Sequence, residues 1–205
     1  MSRELILRHP DIRQFTTVWM DSLRGGESML VNTNKLIRWY DGATGLKTGY
    51  TASAGYCISA TAEREGMELI AVVMKGETSD KRNTDAKALL NYGFSAYTLV
   101  SAAPEEPLPA LPVTMGEAEQ VGLTLPETGV TAVVEKAQAS SLEYRVDLPE
   151  TLAAPIQQGQ QVGTLTLCSG DTEVLAVPIL AAESVPGRSW GRMFTDLLKQ
   201  AVFLA

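Results

Sequence analysis

Apolar positions change their spacing along the chain, and the changes divide it into parts. Near the start, Leu5, Ile6, Ile12, Phe15 and Val18 recur at roughly helical intervals with Pro10 between them, which predicts a broken or kinked helical region. A loop is expected through Gly25 and Gly26. From Gly55 the pattern becomes an alternation, Tyr56, Ile58, Ala60 and Ala62, followed by Glu65-Gly66 and an apolar run over 69–74, the signature of a β-hairpin. Residues 78–93 then read as a helix, with Ser79 or Asp80 as cap, Ala86, Leu89 and Leu90 inside, and Gly93 as the stop. Strands flanked by helices make residues 1–97 part of an α/β or α+β unit.

Beyond a proline-rich stretch at 102–112, which reads as a linker, the helical signal almost vanishes. Short apolar runs at 132–134, 161–167 and 173–179 are separated by turn residues, with Ser169-Gly170-Asp171 between the last two. Such spacing predicts a small all-β sandwich over 98–187. After Pro186-Gly187, Trp190, Met193, Phe194, Leu197, Leu198 and Val202 fall near one side of a helix, so 188–205 is expected to be amphipathic. It is too short and too charged to span a bilayer. An interfacial helix and a terminal helix packed on the β domain both fit the pattern.

Charge sharpens these divisions. Lys plus Arg stand against Asp plus Glu as 12 to 11 over residues 1–97, 2 to 12 over 98–187 and 3 to 1 over 188–205. The net charge of −7 argues against nucleic acid as a partner, because a nucleic-acid face must displace counterions from phosphates. With 45% hydrophobic and 20% charged residues, the 205-residue chain has the composition of a folded protein. Cys57 and Cys168 fall in different parts, so neither a disulfide framework nor a cysteine metal site is expected. Met1-Ser2-Arg3-Glu4 has no apolar run behind it and does not read as a secretory signal peptide. His9, the single histidine, has no identifiable partner nearby and reads as a surface residue.

The chemistry-bearing word is Lys47-Thr48-Gly49, just ahead of the hairpin. A three-residue word is weak by itself. Its surroundings are not. Val31-Asn32-Thr33-Asn34-Lys35-Leu36, Lys47-Thr48-Gly49, Gly55-Tyr56-Cys57, the run 69–74 and Asn91-Tyr92-Gly93-Phe94 together resemble the serine-type D-alanyl-D-alanine carboxypeptidases, the low-molecular-mass penicillin-binding proteins. The likeness is close over 1–97. The acidic β-rich block and the tail resemble that family's C-terminal domain and membrane anchor more loosely.

The resemblance implies an α+β chain: the C-terminal part of a transpeptidase-like catalytic domain, an all-β sandwich, and an amphipathic anchor helix. It implies that Lys47 supplies positive charge near the catalytic hydroxyls and the substrate's terminal carboxylate. Thr48 hydrogen-bonds that carboxylate, Gly49 leaves room for substrate against the strand, and the backbone N–H of Tyr50 is one oxyanion-hole donor. Arg82 matches a position that helps to hold the carboxylate; an exposed helix-start arginine is the other reading of that residue. No metal or organic cofactor is implied. The expected partners are peptidoglycan pentapeptide stems, β-lactam antibiotics and, through 188–205, an anionic membrane surface on the outer face of the bacterial cytoplasmic membrane.

Family chemistry needs a nucleophile in Ser-x-x-Lys and a second motif of the Ser-x-Asn kind. Neither word occurs in these 205 residues; Ser79-Asp80-Lys81 has the wrong spacing and follows Lys47 rather than preceding it. The expectation is an N-terminally truncated chain, inactive alone, whose missing part carries both motifs and a signal peptide. Truncation would leave apolar faces of 50–97 uncovered. The rival readings are a β-lactamase, which shares the Lys-Thr-Gly strand without the β block, and a non-catalytic module of the cell wall or membrane.

Overall fold

The computed structural model describes residues 1–104, 106–189, 191 and 194. In chain order the elements are α1 (Ser2–Arg8), α2 (Arg13–Thr16), β1 (Met20–Leu23), β2 (Ser28–Val31), α3 (Leu36–Trp39), β3 (Ala43–Thr51), β4 (Gly55–Arg64), β5 (Met67–Gly76), α4 (Ser79–Ala96) and β6 (Tyr97–Ser101). They continue as β7 (Leu111–Thr114), β8 (Gln120–Val121), β9 (Leu123–Thr124), β10 (Thr131–Glu135), α5 (Lys136–Ala139), β11 (Leu142–Asp147), β12 (Leu152–Ala153), β13 (Gln161–Ser169) and β14 (Thr172–Ala181). Two compact units result, one of Met1–Leu99 with Glu135–Ala137 and one of Val100–Val134 with Gln138–Ala205.

The first unit is organised by an antiparallel sheet in the order β3-β4-β5. Alternation along β4 turns Ile58, Ala60 and Ala62 to one face, where they form a core with Ala71 of β5, Leu36 and Tyr40 at α3, and Ala86 and Leu90 of α4. Helix α4 begins one residue earlier than a Ser79 cap requires and two earlier than an Asp80 cap requires. Thr78 is the N-cap, its Oγ1 accepting the Lys81 N–H at 3.1 Å, and Glu77 and Lys81 pair one turn apart. Gly93 does not stop the helix, which runs on to Ala96. A Cβ at Gly93 would lie 2.5 Å from Leu69 Cδ1, so the glycine is there to let helix and sheet approach closely.

The broken helical start appears as α1 and α2 around a 3-10 turn at Pro10–Ile12. Gly25 and Gly26 do form a turn, both at positive φ, but it closes a β1–β2 hairpin that the sequence pattern does not announce. All four residues of β1 are exposed and three of the four in β2, so the period-2 signal of a half-buried strand is missing. On the sheet face away from α4, Val72 and Met74 are 57% and 75% exposed.

In the second unit a four-stranded sheet, β11-β13-β14-β9, and a three-stranded one, β12-β7-β8, contribute to one core. Leu111 and Val121 come from the smaller sheet; Val162, Leu165, Val177, Ile179 and Ala181 come from the larger. The fold class is the expected α+β with a C-terminal β domain. One correction concerns 102–112. Ala102 is fully buried and its N–H donates to Val130 O at 2.7 Å, Leu108 packs on the core, and Leu111 opens β7. Four prolines made this stretch look like a linker because proline count reports restricted backbone, not solvent exposure.

The amphipathic helix expected over 188–205 lies, except for residues 188, 189, 191 and 194, outside the described residues. At its start, the Arg188 N–H donates to Met115 O at 2.8 Å and Arg188 Nε to Gly116 O at 2.7 Å. Among the described residues, no helix is long and apolar enough to cross a membrane.

Candidate active site

Strand β3 carries Lys47, Thr48, Gly49 and Tyr50 in register with Ser59, Ile58, Cys57 and Tyr56 of β4. Among the described residues β3 is an edge strand, so one side of its backbone is unpaired. What fixes its position is the turn before α3. Asn34, buried, donates from Nδ2 to Gly45 O at 2.8 Å and accepts the Leu36 N–H on Oδ1 at 3.1 Å, while Asn32 Oδ1 caps the Asn34 N–H at 2.9 Å. Gly45 itself is tightly enclosed: a Cβ there would sit 3.0 Å from Thr16 Oγ1 and 3.1 Å from Thr61 Oγ1, closer than an ordinary contact.

An open cleft of about 430 Å³ lies along β3, lined by Thr33, Lys47, Thr48, Gly49, Tyr50, Tyr56, Ser79 and Arg82. All five residues singled out in the sequence therefore border one space. The exposed Lys47 ammonium lies back along its strand and donates to the Thr48 carbonyl. The hydroxyls of Thr48 and Thr33 share a hydrogen bond of 2.6 Å. A Cβ on Gly49 would touch nothing within 4 Å, so the space beside the strand there is open. Tyr50 is 60% exposed and its ring tilts against Tyr56 with centroids 4.5 Å apart.

Arg82 is not an exposed helix-start residue. It is 3% exposed, and its guanidinium reaches Thr33 O at 3.2 Å and Ser79 Oγ at 3.3 Å, tying α4 to the turn that carries Thr33. Burial pulls its pKa below the ordinary arginine value, against the weaker opposing influence of Cys57, Tyr56 and Asp80. Among the described residues neither Lys47 nor Arg82 has a carboxylate within salt-bridge reach, and no group of three or more His, Cys, Asp or Glu is placed to hold a metal. An edge strand flanked by these two cations and by the aliphatic hydroxyls of Thr33, Thr48 and Ser79 suits an extended ligand ending in an anion.

Comparison with known proteins identifies the family. Residues 1–78 match the D-alanyl-D-alanine carboxypeptidase family, Peptidase_S11, and residues 100–187 match the C-terminal domain of penicillin-binding protein 5. The chain belongs to the D-alanyl-D-alanine carboxypeptidase family. It is 35% identical over 188 residues to the D-alanyl-D-alanine carboxypeptidase DacF of Bacillus subtilis, covering 89% of this chain and 48% of DacF. To DacC of Escherichia coli it is 31% identical over 168 residues, covering 80% of this chain and 42% of DacC. The chain thus spans about half the length of the curated relatives it matches. Among solved structures, penicillin binding protein 5 of Haemophilus influenzae shares the fold at a TM-score of 0.74 and 23% identity, over 90% of this chain and 54% of that one. DacD of Francisella tularensis aligns at a TM-score of 0.51 and 30% identity, over 78% and 40%.

Three lining residues escaped the sequence reading as site residues: Thr33, Tyr56 and Ser79. For Thr33 the signal was present in the polar run Asn32-Thr33-Asn34 beside the apolar Val31 and Leu36. Tyr56 reads as one more inward position of an alternating strand, and Ser79 as a helix cap; only the fold brings them to the cleft.

Proposed function

We propose that the full-length protein removes the terminal D-alanine from peptidoglycan pentapeptide stems, and that this cleft forms one wall of its active site. The observation that carries the reading is a pair of cations, Lys47 on the open edge strand β3 and Arg82 on α4 beside it, each without a carboxylate partner among the described residues. Substrate lies extended along β3 over Gly49. Its terminal carboxylate meets Arg82 and the Thr48 hydroxyl, while Lys47 supplies charge beside the reacting centre. A serine from outside these 205 residues attacks the carbonyl between the two D-alanines. Its proton passes to a neighbouring base, and the Tyr50 N–H stabilises the resulting oxyanion. Collapse expels D-alanine, whose nitrogen takes up the proton, and water hydrolyses the acyl-serine. β-Lactams acylate the same serine because their fused amide and carboxylate imitate the D-Ala-D-Ala end.

Intact-mass analysis with penicillin tests this. The 205-residue chain contains no Ser-x-x-Lys and is expected to gain no covalent drug. The full-length protein is expected to gain one molecule and lose it slowly. A stable adduct on the 205 residues, or none on the full-length protein, sinks the assignment; rapid turnover of the label on the full-length protein marks a β-lactamase.

Members of the family are extracytoplasmic penicillin-binding proteins. For this one we propose attachment to the outer face of the cytoplasmic membrane through 188–205, where Arg192 and Lys199 meet anionic headgroups beside an apolar side. The excess of 12 acidic over 2 basic residues in 98–187 repels such a surface, which confines contact to the tail. The chain is expected to co-sediment with anionic vesicles at low salt, and a version ending at residue 187 to stay in solution. Equal partitioning of the two versions removes the anchor.

A further inference from the structure

Among the described residues, every hydrogen-bond acceptor of the buried Arg82 guanidinium is neutral. Nη2 donates to Thr33 O at 3.2 Å, to Ser79 Oγ at 3.3 Å and to Asn83 Oδ1 at 3.1 Å, and Nε donates to the same Asn83 Oδ1 at 3.3 Å. Asp80, the acid on the same turn of α4 whose charge reaches Arg82, is engaged by Lys35 Nζ at 2.8 Å.

Asn83 holds its place at a cost. It is 6% exposed, and its Nδ2 is buried with no hydrogen-bond partner among the described residues. Turning the amide over does not relieve this, because it would set the NH₂ against two N–H donors of Arg82. An aspartate of the same shape would have no orphan donor and would give Arg82 a carboxylate. What asparagine does and aspartate does not is hold the guanidinium without neutralising it.

We infer that Asn83 is a positioning residue whose uncharged Oδ1 fixes the Arg82 guanidinium at the cleft and leaves its positive charge for the substrate's terminal carboxylate. This rests on the reading of Arg82 given under the proposed function. Ser79 and Thr33 share the task, since their oxygens hold Nη2 from the helix and from the turn before α3 without adding charge. The site is thereby tuned for ligands that end in an anion.

The test compares Asn83→Asp, Asn83→Ala and Arg82→Ala in the full-length protein, on a peptide ending in D-Ala-D-Ala and on the same peptide amidated at its C-terminus. Asn83→Asp is expected to raise KM for the free carboxylate roughly tenfold or more, the scale of one charge-assisted hydrogen bond. Its kcat should stay within about threefold, its KM for the amide should be unchanged, and its melting temperature should be no lower than that of the unsubstituted protein. Asn83→Ala keeps the charge and loses the aim, so a smaller rise, again confined to the carboxylate, is expected; this variant decides the matter if Asn83→Asp does not fold. An equal rise for both peptides shows a merely structural residue and overturns the inference. If Arg82→Ala raises KM for the carboxylate while both Asn83 variants leave it unchanged, Arg82 stands and Asn83 falls. If Arg82→Ala changes nothing, the reading of Arg82 fails and the inference fails with it.

Discussion

Lys47→Ala, made in the full-length protein, is expected to slow both acylation by penicillin and release of D-alanine by about a hundredfold or more. The size follows from where the charge sits. At about 4 Å, two unit charges interact by roughly 1 kcal/mol in bulk water and roughly 4 kcal/mol at an effective dielectric of about 20. With each 1.36 kcal/mol worth a factor of about ten, the first value gives a fivefold effect and the second nearly a thousandfold. Lys47 is exposed here, and among the described residues its ammonium is held by the Thr48 carbonyl alone, so it is free to swing toward a ligand on β3. A substrate lying on that strand, with the opposite wall in place, excludes water and moves the interaction toward the larger figure. Stopped-flow acylation with a fluorescent penicillin reads the effect. Lys47→Arg should recover part of the rate but not all, because a planar fork does not replace a compact ammonium at short range. A Lys47→Ala rate within about threefold of the unsubstituted protein would remove Lys47 from the reacting centre.

The fold was legible where burial wrote a period into the sequence. The alternation Tyr56, Ile58, Ala60, Ala62 became β4, and the run 173–179 became the inner part of β14, because in each strand one face is closed off by other elements. The β1–β2 hairpin, with seven of its eight strand residues exposed, had no period to read. Gly93 shows a different limit: a glycine near the end of a helical pattern reads as a stop, and only the 2.5 Å from its absent Cβ to Leu69 shows that it serves packing. The candidate site was legible as a word, Lys47-Thr48-Gly49, whose neighbours carried the family likeness. Its electrostatic character was not. That Arg82 is buried among neutral acceptors depends on Thr33, 49 residues away along the chain, closing over it beside Ser79 and Asn83 of its own helix, which the helical pattern alone does not reveal.

In the second unit, Leu165→Ala is expected to cost about 2–5 kcal/mol of stability. Leu165 is completely buried on β13, a central strand between β11 and β14, opposite Val146 on one side and Val177 on the other. Its side chain belongs to the cluster joining Val162, Val177 and Ile179 of the larger sheet to Leu111 and Val121 of the smaller. A strand hydrogen-bonded on both edges cannot slide inward to fill the space left by three carbon atoms, so the cavity term adds to the lost transfer energy. Val146 provides the contrast. It pairs with Leu165 in register but lies on the edge strand β11 and is exposed, so Val146→Ala should cost under about 1 kcal/mol. Hydrogen exchange of the β13 and β14 amides measures both changes within the unit itself. A loss of about 3 kcal/mol raises the open population of these strands by more than a hundredfold. If Leu165→Ala and Val146→Ala shift exchange by the same small amount, the cluster around Leu165 does not hold the β domain together.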